Sequence, residues 1–114
     1  MKLPNPDRAV VRTRKITHYL LSESHPVGRH KAKFFRGFGF SLLSWRRLET
    51  ALLEHAARYE VVQVEKTPFG ISYAIDGPLL TPDERNPQVR TVWFIENGQT
   101  IPYFITAHPV KRAQ

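Results

Sequence analysis

The stretch Gly28-Arg29-His30-Lys31-Ala32-Lys33 sets an imidazole, a guanidinium and two ammonium groups within six residues. Arg90 and Thr91, and later Thr106 and His108, supply a second set of similar groups. An imidazole moves protons near neutral pH, and a cation or hydroxyl steadies charge gathering on phosphoryl oxygens. RNA can be cut by such groups alone, because its own 2′-hydroxyl attacks the adjacent phosphorus. The protein then supplies a proton acceptor for that hydroxyl, a cation for the phosphoryl charge and an acid for the leaving 5′-oxygen. On this reading His30 is the general base or acid, Lys31 and Arg90 stabilise the phosphoryl charge, and Thr106, with His108, orients the phosphate. Arg29, Lys33 and Arg36 form a basic helix face available to RNA phosphates. His30→Ala is expected to lower the rate roughly 10² to 10⁴-fold without unfolding the chain.

Other chemistries are removed by what the sequence lacks. The 114 residues contain no Cys, which excludes thiolate catalysis, iron–sulfur clusters and Cys-ligated zinc. There is no phosphate-cradling Gly-rich loop with its Lys-Ser/Thr, no dinucleotide fingerprint, no His-Glu-x-x-His and no nucleophile elbow. Asp76, Asp83 and Glu84 lie at loops and Glu96 abuts a turn, a poor set for two magnesium ions. No two of His18, His25, His30, His55 and His108 stand four residues apart, so neither a zinc site nor any other metal or cofactor is expected. His55 reads as a packing residue.

The net charge of +7 is unevenly spread. Residues 1–47 hold 11 Lys/Arg against 2 Asp/Glu (+9), and residues 48–114 hold 6 against 8 (−2). A positive field of this kind favours a polyanion, chiefly through release of condensed counterions. No run approaches the roughly 18 apolar residues of a membrane span, and the polar start lacks the apolar stretch of a secretory leader, so a cytoplasmic protein without membrane contact is expected.

The elements that must position these groups follow from periodicity. Three helices are expected: from an N-cap at Thr13 to about Ser22, from Val27 or Gly28 to the Gly37/Gly39 pair, and from an N-cap at Ser44 through Tyr59. In the second, Val27, Phe34, Phe35 and Phe38 form an apolar stripe with Lys31 in its middle, an ammonium that must snorkel, pair or lie in a cleft. After Glu60 the period falls to 2, and strands are expected over 61–67, 71–76, 89–95 and 101–108. The fold class is α+β: about three N-terminal helices on one face of a four-stranded antiparallel meander, one domain over 1–114. The Asn97-Gly98 turn leaves the last register open, since a strict two-residue loop pairs 90 with 105 and a bulged one pairs 90 with 106.

The opening Leu3-Pro4-Asn5-Pro6-Asp7-Arg8-Ala9, the block from His25 to Phe35, Val89-Arg90-Thr91-Val92-Trp93 and Thr106-Ala107-His108-Pro109 together resemble an uncharacterised bacterial domain family. Its members occur as short proteins beside a small partner gene and at the C-termini of large polymorphic toxins. The resemblance spans nearly the whole chain and implies a branch of the Barnase–EndoU–colicin–RelE-like ribonuclease fold, with a site between helix and sheet. It also implies a toxin acting on RNA and a small cognate antitoxin or immunity protein as partner. His30, Lys31, Arg90 and Thr106 are carried over by motif position; His108 departs from the pattern, which usually has Tyr there. A non-catalytic nucleic-acid-binding regulator and a basic protein-interaction module remain the alternatives.

Overall fold

The computed structural model describes residues 1–110. A helical turn over Thr13–Lys15 runs on as a π-helix over Ile16–Leu20, and the two are called α1 here; α2 spans Gly28–Gly37 and α3 spans Trp45–Arg58. Four strands follow, β1 (Val61–Thr67), β2 (Gly70–Pro78), β3 (Gln88–Glu96) and β4 (Tyr103–Pro109), antiparallel in the order β1-β2-β3-β4. The α+β meander expected from the sequence is the fold observed.

The core lies between the helices and one sheet face. Leu48, Leu52 and Ala56 of α3 and Ile16 and Leu20 of α1 bury against Ile75, Val89, Trp93 and Phe104. Each Leu or Ile so buried contributes about 1.5–3 kcal/mol relative to exposure. The third helix behaves as its periodicity predicts, although Ser44 makes no side-chain cap bond and instead meets Ser41 Oγ at 2.9 Å. Thr13 is likewise not a cap: Arg12 occupies that position. In α2, Phe35 and Ala32 are buried, whereas Val27 is exposed.

His55 locks α3 to the sheet. Its Nε2 lies 3.1 Å from the Gly77 carbonyl and 2.9 Å from that of Val89, and its Nδ1 is 3.0 Å from Thr91 Oγ1, which in turn accepts Trp93 Nε1–H at 2.9 Å. Two carbonyl acceptors fix the ring proton on Nε2, and Thr91 donates to Nδ1. Burial pushes the His55 imidazole below its ordinary pKa, against the opposing pull of those carbonyls and of Asp76.

The β3–β4 register differs from both expected alternatives. Arg90 faces His108, and Thr106 faces Val92. The Asn97-Gly98 turn forms, with Gln99 N–H donating to Glu96 C=O at 2.9 Å, but β4 does not begin until Tyr103. Val10 instead bonds this part of the chain, donating to Pro102 C=O and accepting from Phe104 N–H, both at 2.9 Å. The register then shifts at Val92/Trp93, where Ile105 is the extra residue of a bulge. A longer connection and a bulge together slide His108 to the place opposite Arg90.

Candidate functional site

Period-2 alternation sends Val89, Thr91 and Trp93 of β3 into the core and leaves Arg90 and Val92 on the face away from the helices. Paired residues share a face, so the register collects Asp76, Arg90 and His108 in one row of that open face and Gln63, Ala74, Val92 and Thr106 in the next. A depression of about 160 Å³ lies there, lined by Gln63, Glu65, Ser72, Ala74, Arg90, Val92 and His108.

Arg90 is held rigidly at one end. Its Nε and Nη2 donate to the two oxygens of Asp76 at 2.7 and 2.9 Å, a bidentate pair that leaves further N–H groups for an anion. The hydrogen bonds from Arg90 hold the Asp76 carboxyl below the usual carboxylate range despite partial desolvation, with the charges of Arg90, His108 and His55 acting in the same direction. The same bonds raise the already high pKa of Arg90. Asp76, expected in a loop, is thus a strand residue that orients a cation.

A second cluster stands at the β4 edge, where α1 and α2 close around the strand. Lys31 Nζ donates to Thr106 Oγ1 and to the Ala107 carbonyl, both at 3.1 Å. The Tyr19 and Thr106 hydroxyls are hydrogen-bonded at 3.3 Å, and the Lys31 ammonium stands 5.8 Å from the Tyr19 ring centroid. Lys31 therefore pairs, as its place in an apolar stripe required. Farther along the same edge Lys15 Nζ caps the Ile105 carbonyl at 3.0 Å.

Two backbone features build this corner. The π-helix widens the turn that carries Tyr19, a distortion frequent at functional sites. Gly28 lets α2 approach it: a Cβ there would stand 2.3 Å from the Tyr19 carbonyl oxygen. His25 starts the helix, its Nδ1 accepting the N–H groups of Val27 and Gly28 at 3.0 and 2.9 Å, and its ring meets Tyr19 edge-on with centroids 5.1 Å apart.

The structure brings Arg90 together with His108, and Lys31 with Thr106. Thr106 and His108, two residues apart on β4, join the clusters on one face. Arg90 and Thr106 are not cross-strand partners. His30 is exposed on α2, one residue before Lys31, and does not line the depression. Arg29 and Lys33 are exposed. Arg36 is not on a solvated basic face: half-buried, its Nη2 donates to the Leu21 carbonyl at 3.0 Å and its Nη1 lies 3.7 Å from Glu23. Tyr19, Asp76 and Glu65 are site residues that sequence reasoning missed. Tyr19 falls at helical spacing with Ile16 and Leu20, a stripe that points to packing, and only the pairing of β2 with β3 singles out Asp76. Among the described residues no three His, Asp or Glu side chains converge on a point that would hold a metal ion, and no helix is long and apolar enough to cross a membrane.

No curated protein matches the chain. Among solved structures it is similar to one chain of a contact-dependent growth inhibition toxin–immunity protein complex from Klebsiella pneumoniae 342. The TM-score is 0.69 at 14% identity, covering 94% of this chain and 97% of that one. At that identity the likeness is one of fold. The model of a family described as a domain of unknown function, DUF6883, matches residues 2–111, nearly the whole chain, which therefore belongs to that family.

Proposed function

We propose that this protein is a toxin-like, metal-independent endoribonuclease whose site is the open sheet face beside the β4 edge. The observation that carries the reading is the convergence of Arg90, clamped by Asp76, with His108 in one row and of Lys31 with Thr106 in the next. A phosphate seated there meets a preorganised guanidinium on one side and an ammonium–hydroxyl pair on the other, and fixed donors of this kind need no rearrangement as charge develops. His108, the cross-strand partner of Arg90, takes the proton of the attacking 2′-hydroxyl. His30, exposed on α2 one residue before Lys31 and outside the depression, is the second imidazole and serves the leaving 5′-oxygen where the RNA passes over the β4 edge. Thr106 and Tyr19 orient the phosphate, and Arg29 and Lys33 hold flanking phosphates.

The fold shared with a chain of a toxin–immunity complex supports the toxin-like part of the reading, with a cognate immunity protein as partner; RNA in the cytoplasm as target rests on the chain's basic charge alone. The test is cleavage of a defined RNA in EDTA by the purified protein. Products ending in 2′,3′-cyclic phosphate are expected, and His108→Ala and His30→Ala should each lower the rate, His108→Ala by roughly 10² to 10⁴-fold. Activity abolished by EDTA would remove the mechanism. Salt-sensitive RNA retention with no cleavage would mark a binding protein instead.

A further inference from the structure

The depression on the open face has two chemically different ends. Arg90 and His108 bring a guanidinium and an imidazole to one end, Ala74 and Val92 form an apolar floor, and Gln63, Glu65 and Ser72 give the far end hydrogen-bonding groups. Glu65 lies opposite Ser72 on the edge strand β1 and has no hydrogen-bond or ion-pair partner among the described residues. Without a partner, this carboxylate repels phosphate and does not seat the backbone of a polyanion. It fits a reader of the part of a nucleotide that carries no charge.

The spacing suits one nucleotide. With strands about 4.8 Å apart and residues about 3.3 Å apart along them, the Cα atoms of Arg90 and Glu65 stand about 16 Å from each other. The Arg90 side chain leans across to Asp76 on β2, which carries its guanidinium toward β1 and narrows that gap. Ala74 and Val92 between them offer an apolar floor for the base plane. A base in a duplex has its Watson–Crick edge occupied and its faces stacked, so it cannot lie there.

On the strength of the ribonuclease reading, we infer that this depression binds an unpaired nucleobase that carries an exocyclic amino group, with Glu65 accepting from the amino group while Arg90 and His108 hold the phosphate. Adenine, cytosine and guanine all offer that donor on the Watson–Crick edge. Uracil presents carbonyl oxygens on both sides of its one N–H and places an acceptor against the carboxylate. The site therefore selects single-stranded RNA and disfavours uridine.

The test measures binding and cleavage separately. Fluorescence anisotropy is read with short oligonucleotides carrying a 2′-deoxy sugar at one variable position, so that no cut can occur there, in the single-stranded form and annealed to a complement. The wild type should bind the strand with adenine, cytosine or guanine at that position about tenfold more tightly than the strand with uracil, and the single strand more tightly than the duplex. In Glu65→Gln, whose amide both donates and accepts, the ratio should fall toward one. β1 is exposed at this position, so the variant keeps the fold, and a matching circular dichroism melt checks it. An unchanged base ratio in Glu65→Gln, or equal affinity for duplex and single strand, overturns the inference. Absence of cleavage of the matching all-ribose strands by the wild type overturns the ribonuclease reading and leaves the binding ratio to stand or fall by itself.

Discussion

His55 and His108 are both imidazoles within reach of Asp76's charge, and burial separates their uses. His55 is sealed beneath the sheet with both ring nitrogens engaged, so its work is to hold α3 against Gly77, Val89 and Thr91. Its folded pKa is lowered, so the unfolded chain binds its proton more readily than the native protein does. The neutral imidazole's stabilisation is complete above the unfolded value near 6.5 and is lost as pH falls from there toward the depressed folded value. Urea midpoints should accordingly drop as pH falls below about 6.5, and His55→Phe should flatten that decline while lowering stability overall. A decline of the same size in His55→Phe would assign the pH dependence to another group. Position made His55 legible as packing, since it flanks the apolar stripe of Leu48, Leu52 and Ala56 on α3. Asp76 was not legible, because its meaning comes from an arginine fourteen positions away in sequence and opposite it in the sheet.

At the level of elements, the corner formed by α1, α2 and β4 depends on close backbone approach. Gly28→Ala places a methyl group 2.3 Å from the Tyr19 carbonyl oxygen, so α2 or the π-helix must move. Overpacking of this kind costs about 1–3 kcal/mol. For a domain of this size that lowers Tm by several degrees per kcal/mol, about 4–8 °C. RNA cleavage in Gly28→Ala, measured well below the melt, should fall as well, because Lys31 rides on α2; full activity with a lowered Tm would place Lys31 outside the chemistry. The helices and strands themselves were readable from period and punctuation: Thr67-Pro68-Phe69-Gly70 closes β1 where alternation ends, and Glu60 marks the change from helix. The last register was not, because it is set by Val10, some ninety residues earlier in the chain, and by a bulge at Ile105 that no local pattern announces. The π-helix was invisible for a related reason, since a 3.6-residue period places Tyr19 on the same stripe with or without it.

Across the whole molecule the positive charge of the N-terminal half is carried mainly by the helices and the segment before them. RNA affinity should therefore fall steeply with salt, with log K declining against log salt by about 0.7 for each single-strand phosphate neutralised. Arg29→Gln and Lys33→Gln, exposed on α2, should each reduce that slope by about 0.7, whereas Arg36→Gln should leave it unchanged and lower Tm instead. Equal slopes in all three variants would place the phosphate track elsewhere. The charge asymmetry was plain from composition, but which cations are already engaged by the fold was not: Arg29 and Arg36 look alike in sequence, and only the meeting of Arg36 with Leu21 and Glu23 separates them.

Lys31 belongs to two structures at once. The ammonium that closes the Ala107 carbonyl at the rim of the sheet is the one an incoming phosphate must attract. Arrival of ligand should therefore loosen the outermost strand on that side. Amide hydrogens of β4 would then exchange faster in the presence of an uncleavable oligonucleotide, a signature reversed from the slowing that ligands ordinarily impose.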